Sequence, residues 1–181
     1  MTDPCEQPLC KSNTLYNFGP ATNNPDNQLY GSARPGAQAQ RCYNPNDVVT
    51  VKEVEEFAKF MKPHGIQHAV GLLSESEIAT FERPPSQVLK QQGIHATNFD
   101  LKSFADEPAL AKEVLAYMRA RASGQKVLVY CWGGGSRSAR ILAFLLVALH
   151  SFVAEEAIKQ VCRAPGTNRM VTPEQLQALL A

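Results

Sequence analysis

The chain has 181 residues, of which 44% are hydrophobic, and a formal net charge of +1. This length supports one well-packed core, and the balanced charge without a basic stripe excludes the electrostatic footprint of a nucleic-acid-binding protein. The apolar stretch 141–149 lies between Arg140 and His150 and is too short to span a bilayer. Because no basic-then-apolar leader opens the chain, we expect a cytoplasmic protein without a membrane partner.

The cysteines give no indication of metal or disulfide chemistry. Their spacing matches no zinc site, and an odd number argues against a disulfide framework. They are Cys5, Cys10, Cys42, Cys131 and Cys162. We expect no metal and no cofactor, and we expect the protein to be a monomer.

The first strongly predicted element is a helix that follows a polar segment. Residues 1–27 are rich in Asn, Pro, Thr and Gly, which predicts an extended lead-in before a single domain at 28–181. Thr50 and Glu53 have the spacing of a capping box, and apolar residues then recur at helical spacing. Pro63 marks the end of this helix.

The later elements alternate between strands and helices. Strands are predicted at 68–73, 94–99 and 126–131, helices at 108–122, 137–150, 153–162 and from 172 onward, and one or two short helices within 74–92. This alternation predicts a single α/β domain with a central, mainly parallel sheet of four or five strands flanked by helices.

The third of these predicted strands ends in Cys131, and the helix after it begins at Arg137. The five residues between them are small or flat: Trp132, Gly133, Gly134, Gly135 and Ser136. A strand, a glycine-rich turn and a helix start direct backbone N–H groups at one point, where the helix dipole also favours negative charge. The same field favours the deprotonated, nucleophilic form of the cysteine. The sequence therefore predicts a loop that binds a phosphate-sized dianion above a nucleophile.

Each residue type in this loop has a physical reason to be there. The glycines permit positive φ and let peptide N–H groups approach a ligand closely. Arg137 offers a planar fork of donors that holds two oxygens and stays charged. Ser138 can donate a hydrogen bond to the cysteine sulfur, both when it attacks and when it leaves.

On these residues, the chain resembles the cysteine-dependent protein tyrosine phosphatase superfamily, and its small dual-specificity branch in particular. Cys131, Arg137 and Ser138 match the family's pattern of a cysteine, five residues, an arginine and a serine or threonine, while Tyr130 stands where histidine is usual. The resemblance extends from about Leu29 to the C-terminus. It implies a fold of the cysteine-phosphatase type and hydrolysis of phosphate monoesters through a cysteinyl-phosphate intermediate.

The resemblance also implies an aspartic acid that protonates the leaving oxygen, placed about thirty residues before the cysteine. Two candidates have suitable positions: Asp100 ends the predicted strand at 94–99, and Asp106 precedes Glu107 and the next predicted helix. Asp106 also suits a helix N-terminus. We favour Asp100 and keep both.

The predicted substrate is a phosphorylated protein, with phosphotyrosine and also phosphoserine or phosphothreonine as candidates, or a small phosphomonoester. The loop lacks the lysines that phosphoinositide-directed relatives often carry, which disfavours highly phosphorylated lipids. Two alternatives stay open. One is a pseudophosphatase that only binds phosphorylated ligands, which Tyr130 would suit; the other is a rhodanese-like sulfurtransferase.

Overall fold

The computed structural model describes residues 14–24, 26–37, 48–100 and 107–181. The strands are β1 (Gly19–Pro20), β2 (Leu29–Ala33), β3 (His68–Gly71), β4 (His95–Asn98) and β5 (Val127–Cys131). The helices are α1 (Val51–Met61), α2 (Glu75–Ile78), α3 (Pro85–Gln91), α4 (Glu107–Arg121), α5 (Arg137–His150), α6 (Ala154–Cys162) and α7 (Pro173–Leu180).

The strands form one sheet in the order β1-β2-β5-β3-β4. β2, β5, β3 and β4 are mutually parallel, and only the two-residue strand β1 pairs antiparallel. The predicted single α/β domain with a mainly parallel sheet is therefore confirmed. Because the strands are parallel, the carboxyl ends of β2, β5, β3 and β4 lie along one edge of the sheet, where ligands of such folds usually bind.

Local sequence signals explain where several helices begin. Thr50 caps α1 and forms the expected capping box with Glu53, and the buried face of the helix matches the predicted apolar spacing. Ser74 and Glu77 form a second capping box at α2, and Thr172 caps α7. These side chains satisfy backbone N–H groups that the first helical turn leaves without partners.

Hydrophobic clusters cover both faces of the sheet. One face packs against α4, α5, α6 and α7, and the other packs against α1 and α3. β5 supplies both clusters, because its residues alternate between the two faces. It is buried along its whole length, so the cysteine that ends it has a rigid base.

Residues 14–24, which the sequence assigns to the lead-in, contribute to this domain. Tyr16 and Phe18 are buried, with rings against Phe57 and Phe60 at centroid distances of 4.9 and 5.4 Å respectively. Arg169 then joins β1 to β2: it donates to the carbonyl oxygens of Pro20, Gly19 and Gly31 at 2.7, 2.8 and 2.9 Å. Burial lowers the pKa of this guanidinium to about 10, which leaves it charged at neutral pH.

Across the described residues, none of the helices combines the length and apolar character that crossing a membrane requires.

Candidate active site

Cys131 lies at the carboxyl end of β5, between β2 and β3, with 2% of its surface exposed. Its Sγ accepts hydrogen bonds from the backbone N–H groups of Gly134 at 3.3 Å and Ser138 at 3.4 Å. The Ser138 hydroxyl oxygen lies 3.3 Å from the same sulfur. Three polar groups therefore surround the sulfur, and an N–H donor stabilises a thiolate more strongly than a thiol.

The loop between Cys131 and α5 closes tightly over the end of the sheet. Gly134 has a φ of +70°, and a Cβ at this position would lie 2.4 Å from the backbone nitrogen of Ala33. A Cβ at Gly135 would lie 2.8 Å from the carbonyl oxygen of Asn168. Gly134 therefore has the positive φ that the glycines permit, and Gly135 is required by its close approach to the backbone of Asn168.

Several backbone N–H groups of this loop donate no hydrogen bond within the described part of the chain. The backbone N–H groups of Gly133, Gly135 and Ser136 donate to no acceptor among the residues that the structure describes. Arg137 opens α5 directly after them, where the helix dipole is positive. Free N–H groups, a helix N-terminus and a guanidinium are the features that binding an oxyanion requires.

A second structural element holds the Arg137 guanidinium. Its Nη1 donates to the Leu72 carbonyl at 2.9 Å and to Glu77 at 2.7 Å, and its Nη2 donates to the other oxygen of Glu77. Burial alone would lower the pKa of Arg137, but the Glu77 carboxylate, and also the charges of Cys131 and Glu107, raise it. Burial alone would raise the pKa of Glu77, but hydrogen bonds from Arg137 and Ser74 lower it. Both groups therefore stay charged at neutral pH.

Glu77 is a site residue that the sequence did not reveal. Its only local signal was the capping-box spacing with Ser74, which predicts the start of a helix and says nothing about Arg137. The contact depends on how α2 lies beside the end of β3, which only the tertiary structure fixes.

Asn17 is a second such residue, and it supports the loop from the opposite side. Its side-chain amide donates to the carbonyl oxygens of Gly133 at 3.4 Å and Asn168 at 3.0 Å, and its oxygen accepts from the Asn168 N–H at 2.7 Å. Its backbone has a φ of +51°, a conformation that asparagine tolerates better than most residues. The segment before β1 thus helps to fix the loop around Cys131.

Asp100 follows β4 at the same edge of the sheet as Cys131. Two residues earlier, Asn98 joins this strand end to the end of β3: it donates to the Leu73 carbonyl at 2.8 Å and accepts from the Leu73 N–H at 3.1 Å. Asp100 Oδ1 is buried and has no hydrogen-bond partner among the described residues. Asp106, the other predicted candidate, lies outside the residues that the structure describes.

Tyr130 and Trp132 flank Cys131 and point to different surroundings. The Tyr130 side chain is fully buried against Phe57, its hydroxyl has no partner within the described part of the chain, and burial raises its pKa. It therefore packs into the core and does not hydrogen-bond the loop. Trp132 is partly exposed, and the Arg34 guanidinium lies 4.0 Å from its ring centroid, a cation–π contact.

A cavity of about 730 Å³ runs along β4 beside α4, from His68 and His95 at the amino ends of the strands to Phe99, the residue before Asp100. His68 lines it, with Nδ1 2.9 Å from the Tyr117 hydroxyl and Nε2 hydrogen-bonded to Gln125. No group of three or more His, Cys, Asp or Glu side chains within the described ranges is arranged to hold a metal ion.

Known structures with the same architecture decide the fold family. The structure of Tk-PTP in its active form is 22% identical, with a TM-score of 0.60 over 89% of this chain and 95% of that chain. A kinase-associated phosphatase with its catalytic cysteine replaced by serine is 21% identical, with a TM-score of 0.62 over 92% and 93% of the two chains. The chain has the fold of these cysteine-type phosphatases. The resemblance stated from the sequence, and the fold class with it, are confirmed.

Other relatives extend this comparison. PTPMT1 in complex with PI(5)P is 20% identical, with a TM-score of 0.60 over 84% of this chain and 87% of that one. A mouse (Mus musculus) protein, "phosphatidylglycerophosphatase and protein-tyrosine phosphatase 1", is 31% identical over 97 residues, which is 52% of this chain and 50% of the relative. The matched part thus spans about half the length of that relative. No protein-family model matches the chain.

Proposed function

We propose that this phosphatase-fold protein hydrolyses phosphate monoesters through a cysteinyl-phosphate intermediate. The observation that carries the proposal is the surroundings of the Cys131 sulfur: two backbone N–H groups point at it, and Arg137 begins the helix beside it. The free N–H groups of the loop would hold the equatorial oxygens of a phosphoryl group directly above that sulfur.

The first chemical step forms a phosphorus–sulfur bond. The Cys131 thiolate attacks phosphorus in line with the leaving oxygen, the ester P–O bond breaks, and the carboxylic acid of Asp100 gives its proton to the departing oxygen. The charge that develops on the equatorial oxygens is stabilised by Arg137 and the loop N–H groups. Glu77 keeps the guanidinium charged and oriented while this happens.

The second step hydrolyses the intermediate. The carboxylate of Asp100 takes a proton from water, the water oxygen attacks phosphorus, and the P–S bond breaks to release inorganic phosphate. The Ser138 hydroxyl, 3.3 Å from the sulfur, can donate to the departing thiolate. This pathway assigns the charge stabilisation to protein groups and requires no metal ligand set.

For the substrate we propose a phosphorylated protein, phosphotyrosine first, because the loop has hydrogen-bond donors for one phosphoryl group and no lysine for further phosphates. A glycerolipid monophosphate is the second candidate, favoured by the name of the mouse relative. Both are monoesters, so the same chemistry serves either. Cytoplasmic action as a monomer remains part of this proposal.

The test is burst and steady-state kinetics with para-nitrophenyl phosphate. Cys131→Ser is expected to lower turnover by about 10⁴-fold or more, because the nucleophile is removed while the loop remains. Cys162→Ser, which replaces a half-buried cysteine on α6, is the matched control and is expected to retain turnover. Vanadate should protect Cys131, and not Cys162, from alkylation by iodoacetate.

Other outcomes would favour the alternatives. Full turnover in Cys131→Ser excludes the mechanism. Tight binding of a phosphotyrosyl peptide with no turnover would indicate a pseudophosphatase, and thiosulfate:cyanide transfer above the phosphatase rate would indicate a sulfurtransferase. Among active outcomes, a panel of phosphotyrosyl peptides, phosphoseryl peptides and phosphatidylglycerophosphate vesicles assigns the substrate class.

A further inference from the structure

Arg140 lies one turn into α5, outside the loop that surrounds Cys131, yet its side chain reaches that loop. Its Nη1 donates to the Ser136 hydroxyl at 2.9 Å, and its Nε donates to the Glu107 carboxylate at 2.8 Å. Arg140 and Glu107 are buried, with 4% and 8% of their surfaces exposed. A planar guanidinium fixes both partners in one geometry. One side chain therefore connects the loop to the first residue of α4.

We propose that Arg140 is a positioning residue. Glu107 anchors its guanidinium, and the guanidinium holds the Ser136 side chain, so that the loop N–H groups stay aligned for an oxyanion. The proposal rests on the proposed function for its effect on turnover. Its effect on oxyanion binding is independent of turnover. We treat Arg140 as a positioning residue because its hydrogen bonds to Ser136 and Glu107 hold the loop from outside it.

Stability alone is a weak reason for this ion pair. Burying two charges costs much of what their attraction returns, and apolar pairs of similar volume often stabilise a core as well or better. The pair also lies at a boundary that matters for the reaction. Ser136 belongs to the predicted phosphate-binding set, and Glu107 begins the helix that follows the connection from β4.

The consequence for catalysis follows from the geometry of the loop. Ser136 precedes α5 and carries one of the N–H groups that have no acceptor in the described structure. Without Arg140, its side chain loses the hydrogen bond that fixes it. A displacement of about 1 Å in a group that aligns a reacting phosphoryl can lower the rate by about 100-fold.

Three variants separate positioning from stability. Arg140→Met removes the fork, Arg140→Met with Glu107→Leu replaces the whole ion pair by apolar side chains, and Ser136→Ala removes only the hydroxyl that Arg140 holds. Glu156→Gln is the control, because its ion pair with Lys159, at 3.5 Å, is exposed on α6. For each protein we would measure thermal stability, turnover of para-nitrophenyl phosphate, and the dissociation constant of tungstate by calorimetry.

We expect Arg140→Met to lose stability, and to lose turnover and tungstate affinity by about tenfold or more. The double variant should regain stability and regain neither turnover nor tungstate affinity. Ser136→Ala should weaken tungstate binding several-fold at wild-type stability. If the double variant does not fold, this variant alone distinguishes positioning of the loop from a purely structural role. Glu156→Gln should match the wild type throughout.

The opposite results would overturn the proposal. Arg140 would be merely structural if the double variant recovered tungstate affinity together with stability, or if Ser136→Ala and Arg140→Met bound tungstate like the wild type. A wild type that binds no tungstate also overturns it. If the wild type binds tungstate but hydrolyses no monoester, and Arg140→Met weakens that binding, the proposed function fails while the positioning role stands.

Discussion

Buried polar groups lie at both ends of the parallel strands, but their hydrogen bonding differs between the two ends. At the amino ends, His68 is hydrogen-bonded through both ring nitrogens, to Tyr117 and Gln125, and it stacks on His95 at a centroid distance of 5.0 Å. At the carboxyl ends, N–H groups converge on the Cys131 sulfur, and others have no acceptor in the described structure.

Because of this difference, we propose the active site at Cys131 and not at the cavity beside His68. The cavity beside His68 measures about 730 Å³, but both ring nitrogens of His68 are already hydrogen-bonded, to Tyr117 and Gln125. The loop around Cys131, the proposed nucleophile, instead has N–H donors without an acceptor in the described structure. Polar groups that are buried and mutually paired stabilise a fold, whereas available donors around a nucleophile can bind and transform a ligand.

The largest effect in this comparison is expected from Asp100, the proposed proton donor at the carboxyl ends of the strands. Asp100→Asn should lower turnover by about 10²- to 10⁴-fold and flatten the alkaline decline of the pH–rate profile, because that decline reports loss of the acid's proton. Asp106→Asn is the matched comparison, and it should lower turnover less. The loss in Asp100→Asn should be greater for phenyl phosphate than for para-nitrophenyl phosphate, whose leaving group needs less protonation. A larger loss in Asp106→Asn would transfer the role to that residue.

The second-largest effect on turnover is expected from a glycine at the carboxyl ends of the strands, compared with a glycine at the amino ends. Gly134 and Gly124 have φ angles of +70° and +71°, so an alanine costs about 1–2 kcal/mol at either position. Only Gly134 would also bring its Cβ against backbone, whereas Gly124 has open space around it. Gly134→Ala should therefore lower turnover by about 100-fold or more, while Gly124→Ala keeps it. Thermal melts and kinetics on both variants test this, and equal turnover in the two would contradict the tight loop.

The smallest effect is expected at the amino ends and concerns stability alone. Burial, and less strongly the charge of His95, lower the pKa of His68 below its ordinary value of 6.5, although the Gln125 hydrogen bond opposes this. The unfolded chain then binds more protons than the folded one below that value. The contribution of neutral His68 to the free energy of unfolding is therefore complete above pH 6.5 and is lost as the pH falls toward the lowered pKa.

His68→Gln should make the melting temperature less dependent on pH between about pH 7.5 and about pH 5, with turnover unchanged. His150→Gln, at an exposed position on α5, is the control and should retain the wild-type dependence. A loss of turnover in His68→Gln would show that the two ends are coupled.

Much of the loop around Cys131 could be predicted because it is contiguous in sequence. The strand, the glycines, Arg137 and Ser138 fold together within a few residues, so local propensity and helix geometry decide their arrangement. The prediction was less precise where contacts between distant segments decide. It did not say which glycine needs positive φ: the structure shows it at Gly134, whose Cβ position lies against the backbone of Ala33 at the end of β2.

By itself, the sequence determined the α/β fold with its mainly parallel sheet, the end of β5 at Cys131 and the start of α5 at Arg137, because periodicity and capping act over short distances. Only the tertiary structure brought Glu77 to Arg137, Asn17 to Gly133, and Arg140 between Ser136 and Glu107. Apart from the Arg140–Ser136 contact, these hydrogen bonds join segments far apart in the chain. No local pattern encodes such pairs, because they form only after packing on both faces of the sheet has placed the segments side by side.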